Sequence, residues 1–225
     1  LIENLLPKEL LSAKDPNQDV EANQRWHVLR RIRALGLAHD GAGVHWAGII
    51  GVKSPRRREI LEDLTRTGEI VVIEIDKLPG EVFYLDREQY KLYQKILNDQ
   101  SDPGAALIAP LDNLLWDRKN VERIFDFSYV WEVYKPKKQR EYGYYVLPVI
   151  YGENFVGRLD PSFDKKTGLF TLNNWWWEEG VEVDQAMANA LQECLKEFLV
   201  YLDAEEFDYP KALLKQGSLE WLQKI

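Results

Sequence analysis

The stretch SPRRREILEDLTRTGEIVVIEIDKLPGEVFYL, residues 54–85, decides the fold. Ser54 is the expected cap and Pro55 the first helical residue, where proline is tolerated because its missing N–H would have had no partner. Ile60, Leu61 and Leu64 follow at helical spacing, and Gly68 ends the run. IVVIEID and VFYL, rich in β-branched and aromatic residues, flank the turn KLPGE and predict a β-hairpin. Upstream, NQRWHVLRRIRALGLA places Trp26, Leu29, Ile32 and Leu35 on one helical stripe, with Asn23 as the expected cap and Gly36 as the terminator. Between the two, HWAGIIGVK fits a short helix or turn. Helix, short helix, helix and hairpin in that order form the winged-helix arrangement, a helix-turn-helix variant.

Downstream the grammar changes. REQYKLYQKILNDQ continues as a helix, and SDPG at 101–104 marks a boundary. ALIAPLDNLLWD then holds a buried strand and a turn, KNVERIFDF a short helix, and YVWEVYKP, GYYVLPVIYG, NFVGRLDPSFD and GLFTLNNWWWE predict strands. VDQAMANALQECLKEFLVYLDAE is an amphipathic helix with Met187, Leu191, Leu195, Phe198 and Leu199 on one face, and a tail helix is expected around SLEWLQKI. The expected fold class is α+β: a winged helix (helix-turn-helix with β-wing), then a small antiparallel β-barrel or sheet, then C-terminal helices. The expected domains are a linker at 1–22, the winged helix at 23–100, the β-domain at 101–183 and the terminal helices at 184–225.

Bulk properties narrow the function. No apolar run approaches the ~20 residues that span a bilayer. Cys194 is the only cysteine, so no intrachain disulfide forms and a reducing cytoplasm is the expected home. One cysteine and three histidines argue against a structural zinc site, and His39 and His45 have no familiar ligand spacing. The chain begins at Leu1 and its only methionine is Met187, which suggests a piece of a longer protein. The net charge of −8 disfavours nucleic acid at first sight, but residues 171–225 alone hold 4 basic against 11 acidic groups. The middle of the chain is balanced and carries local basic clusters, which screening leaves able to act locally.

Three clusters are candidates for phosphate contact. Lys53, Arg56, Arg57 and Arg58 sit at the front of the third helix, where helix-turn-helix proteins meet DNA. Cations there oppose the helix dipole at about 0.3–1 kcal/mol each, so they need a reason, although a solvated face is the plainer alternative. Lys135, Lys137, Lys138 and Arg140 form a basic arm that either tracks a phosphate backbone or shields a sheet edge. Lys165 and Lys166 form the tip of the turn DKKTG. Trp175, Trp176 and Trp177 cannot all face one way on a strand; they are core, or else one stacks on an unpaired base. Asp112 and Asp117 flank NLLW with no spacing that compels catalysis, and the pairs Asp117–Arg118 and Arg158–Asp160 suit structural ion pairs or turn caps. No Gly-rich phosphate loop or nucleophile elbow is present.

Taken together, LPKELLSA, RALGLA, GVKSPRRREILEDLTRTGEI, DKKTG and the long PLDNLLWDRKNVERIFDFSYVWEVYKPKKQREYGYYVLPVIYGENFVGRLD resemble the winged-helix DNA glycosylases of the YcaQ type. The resemblance runs from about Leu6 to about Trp177. It implies tandem winged helices joined to a small β-barrel, duplex DNA as partner, and no metal or organic cofactor; a monomer is expected. It also implies hydrolysis of the N-glycosidic bond of alkylated purines, including those in interstrand crosslinks. An alkylated purine is already a good leaving group, so such an enzyme mainly stabilises an oxocarbenium-like sugar and positions water. The family's catalytic triplet, Gln-apolar-Gln/Asp, has no counterpart here. Gln100–Asp102 has the outer letters around a polar centre, and no catalytic role carries over to it. The triplet is expected upstream of this sequence. Two other readings stay open: a non-catalytic DNA-binding regulator, and a protein-interaction module using the acidic end.

Overall fold

Asp19, rather than Asn23, starts the first long helix, its carboxylate accepting from the Ala22 N–H at 2.7 Å. The computed structural model describes residues 4–14, 16–17, 19–98 and 101–225. The chain divides into two compact units, Leu1–Asp99 and Gln100–Ile225. Gln100 lies outside the described residues.

In the first unit a short helix α1 (Lys8–Leu11) precedes α2 (Val20–Leu35), strand β1 (Ala38–His39) and a 3-10 turn at Val44–Trp46. Helix α3 (Ser54–Arg66), strands β2 (Ile70–Glu74) and β3 (Val82–Asp86) and helix α4 (Arg87–Ile96) follow. The strands form an antiparallel sheet in the order β1-β3-β2. Lys53, not Ser54, occupies the cap position of α3, and Ser54 is its first helical residue. The buried stripe of α2 is Gln24, Val28, Leu29 and Ile32, whereas Trp26 is exposed. That stripe packs with Ala38, Trp46, Ile60, Leu61, Leu64 and Ile70 into one core. Gly36 ends α2 at φ 74°, a left-handed conformation natural to glycine.

The second unit is built on a five-stranded sheet that curls into a half-barrel, in the order β4 (Ala105–Leu107), β5 (Leu147–Tyr151), β6 (Asn154–Asp164), β7 (Leu169–Trp177) and β8 (Glu206–Asp208). Pairing is antiparallel except at β8, which joins β7 in parallel because the chain returns through helix α6 (Gln185–Leu202). Register shifts at Val149/Ile150 and Asp160/Pro161 bend the long hairpin. Met187, Leu191 and Leu195 of α6 close over Val149, Leu159, Phe170, Leu172 and Trp175. A second cluster gathers Leu115, Val121, Phe127, Tyr129 and Phe155 around helix α5 (Arg118–Phe125). YVWEVYKP is not a strand: 3-10 turns occupy Glu132–Tyr134 and Lys137–Gln139.

Candidate nucleic-acid interface

The arginines of the first unit are mostly engaged within it. Arg25 of α2 donates to Asp63 at 2.8 Å and to Glu69, and Arg33 donates to Asp86 at 2.7 Å. At the front of α3, Arg57 is 3% exposed and donates to the Asp40 carbonyl and to Ser54 Oγ, with its guanidinium over the Trp46 ring. It fastens α3 to the 38–46 segment and presents no face to a partner. Arg56 reaches Gln24, Glu59 and Glu21, and Arg58 pairs with Asp40 at 2.6 Å while remaining largely in solvent. Lys53 is exposed. Of the four predicted cations here, Lys53 and Arg58 therefore point outward most freely. The fold also brings His39 and His45 together, ring centroids 4.5 Å apart, despite their unpromising spacing.

In the second unit the basic arm is organised by Glu132. This carboxylate is 4% exposed and sits in a nest of backbone donors: Glu141 N–H at 3.0 Å, Tyr142 N–H at 2.9 Å and Gly143 N–H at 3.3 Å. Lys135 Nζ adds a fourth contact at 2.7 Å. Burial by itself would push the carboxyl up, but the Lys135 ammonium and the three amides outweigh it and hold the group down at about 2. Arg140 donates to the Lys135 carbonyl at 2.9 Å and lies over the Tyr144 ring at 4.8 Å. Lys135 and Arg140 thus shape the arm, while Lys137 and Lys138 stand exposed on its 3-10 turn. The sheet edges are β4 and β8.

Lys165 and Lys166 are exposed at the tip of the β6–β7 hairpin, where Asp164 caps the turn by accepting from Lys166 N–H at 2.9 Å. Arg158 does not pair with Asp160. Its guanidinium lies between the Phe127 and Tyr142 rings, 4.4 and 4.5 Å from their centroids, and donates to Glu178 at 2.7 Å. Asp160 is held up instead, first by burial. Asp112 and Asp117, the latter as expected, are caps, accepting from Leu114 and Asn120 N–H. Trp175 is buried among core residues with Trp177 packed at 4.9 Å; Trp176 faces the other way, edge-on to Tyr142. The buried Trp175 offers no stacking face to a base.

A family model described as DNA glycosylase AlkZ-like matches residues 1–200. The chain belongs to the AlkZ-like DNA glycosylase family. The match runs through both units of this AlkZ-like chain, from α1 to near the end of α6. No solved structure matches it. Among the described residues no helix is long and apolar enough to cross a membrane. Glu132 and the aromatic residues Tyr134 and Tyr145 were missed by sequence reasoning. The available signal was a lone carboxylate inside the aromatic run YVWEVY, three residues before a lysine.

Proposed function

We propose that this chain grips duplex DNA for a glycosylase that hydrolyses the N-glycosidic bond of alkylated purines, including those in interstrand crosslinks. The observation that carries this reading is the DNA glycosylase match across both units. The order α2, 3-10 turn, α3, β2, β3 supports a winged helix in the first unit, and the half-barrel supports the β-domain that accompanies it. We assign phosphate contacts to Lys53 and Arg58 on α3, to Lys137 and Lys138 on the arm, and to Lys165 and Lys166 at the hairpin tip. Arg56 joins them by exchanging its carboxylate partners. Arg57, Lys135 and Arg140 act by positioning these cations. No residue of the chain is assigned to bond cleavage, because the Gln-apolar-Gln/Asp triplet is absent from the sequence.

Duplex affinity measured by fluorescence anisotropy against salt tests the assignment. Each lost phosphate contact lowers the slope of log K against log salt by about 0.9. The double variants K137A/K138A and K165A/K166A are each expected to weaken binding and flatten the slope by about 2. An unchanged slope removes that pair from the interface. Absence of duplex affinity even at low salt overturns the reading.

A further inference from the structure

The segment Trp131–Tyr145 carries more aromatic surface than a phosphate-tracking arm requires. Tyr134 is 86% exposed and Tyr144 53%. The Trp131 ring packs edge-on against Tyr134 and Tyr145 at 5.7 and 5.8 Å. Arg140 joins the Tyr144 ring to the Lys135 carbonyl, next in the chain to Tyr134. Two sets of contacts, Tyr134–Trp131–Tyr145 and Tyr144–Arg140–Lys135, are thus joined through the chain at 144–145 and at 134–135. These rings do not hang on a loose loop. The Glu132 nest fixes the backbone on both sides, at 132–135 and at 141–143. Exposed aromatic faces lose the free energy that burial would give them, so a fixed cluster of them is a surface prepared for contact.

We infer that this cluster is a stacking site for an unpaired nucleotide, its base on Tyr134 or Tyr144 and its phosphates beside Lys137 and Lys138. The inference rests on the DNA-binding function proposed above and adds to it a strand that is locally single. Charge identifies the occupant. Within residues 131–145, four cations stand against Glu132 and Glu141, and the Glu132 carboxylate is buried and neutralised by its own partners. An apolar peptide would find no use for Lys137 and Lys138. A nucleotide uses both features, because every base has a π-face and every linkage a negative charge. Tyrosine is suited to the role because it stacks without sequence preference.

The full chain is tested with a fluorescein-labelled 20-nucleotide oligothymidylate and a 20-base-pair duplex, by anisotropy at two salt concentrations. Stacking is worth about 1–3 kcal/mol per base, so Y134A/Y144A is expected to bind the oligothymidylate about 10- to 100-fold more weakly. Its duplex affinity falls much less than its oligothymidylate affinity and its salt slope stays at the wild-type value, since no phosphate contact is lost. Y134F/Y144F keeps the rings and is expected to retain oligothymidylate binding, which separates loss of stacking from damage to the fold. Equal oligothymidylate affinity for Y134A/Y144A and wild type overturns the stacking site. So does wild-type binding to duplex without binding to oligothymidylate, which leaves the parent reading intact. Binding to neither probe overturns both.

Discussion

Glu132 shows how one side chain can set the shape of a surface: a carboxylate with three backbone amides and an ammonium around it ties residues 141–143 to the turn at 132–135. Its folded-state value is depressed, from 4.5 to about 2. The stabilisation is therefore complete above the ordinary glutamate value and is lost as pH falls from about 4.5 through about 2. Glu132→Gln keeps the shape but removes the charge and one acceptor, and is expected to cost about 2–4 kcal/mol at neutral pH. Urea denaturation of both proteins should show that difference flat above pH 5 and shrinking toward acid. A difference that stays constant down to pH 2 would show that the charge is not what matters. Glu132 could not have been found by periodicity, because YVWEVY is rich enough in β-branched and aromatic residues to predict a strand. What defeats that prediction is a long-range nest of amides at 141–143, and single-sequence patterns carry no such information.

At the scale of elements, the hairpins and amphipathic helices were the most legible features. IVVIEID and VFYL became β2 and β3, and the apolar face of α6 was placed residue by residue at Met187, Leu191 and Leu195. Caps were less so: Asn23 and Ser54 have the right chemistry, yet helix α2 begins three residues before Asn23 and Ser54 lies inside α3. Several plausible caps in a row cannot be ranked without the packing. The basic clusters were visible as composition, but not which members turn inward, as Arg57 does to meet the Asp40 carbonyl. Pairing of β6 with β7 depends on Gly157, where a Cβ would stand 2.8 Å from the Trp176 carbonyl oxygen and 3.2 Å from Trp175 Nε1. Gly157→Ala must push the strands apart or move Trp175. We expect a loss of about 1–3 kcal/mol, read as a lower urea midpoint with an unchanged m-value.

For the whole molecule, net charge and binding surface are separate matters. The net charge is −8, and residues 171–225 account for most of the excess acid. At physiological ionic strength fields fade over about 8 Å, so acids on α6 act only on what lies close to them. Replacing Glu193 and Glu197 with glutamine is expected to raise duplex affinity at low salt and leave it unchanged near 0.15 M. An increase that persists at 0.15 M would place α6 within a Debye length of bound DNA. The edges of the five-stranded sheet have a further consequence. Both β4 and β8 are three residues long, and β8 runs parallel to its neighbour. Each offers few free backbone donors to an incoming strand. Because β8 covers β7 only at Leu169–Thr171, the tryptophan end of β7 takes its strand pairing from β6 alone among the described residues, and the short edges limit sheet growth only where β4 and β8 themselves lie.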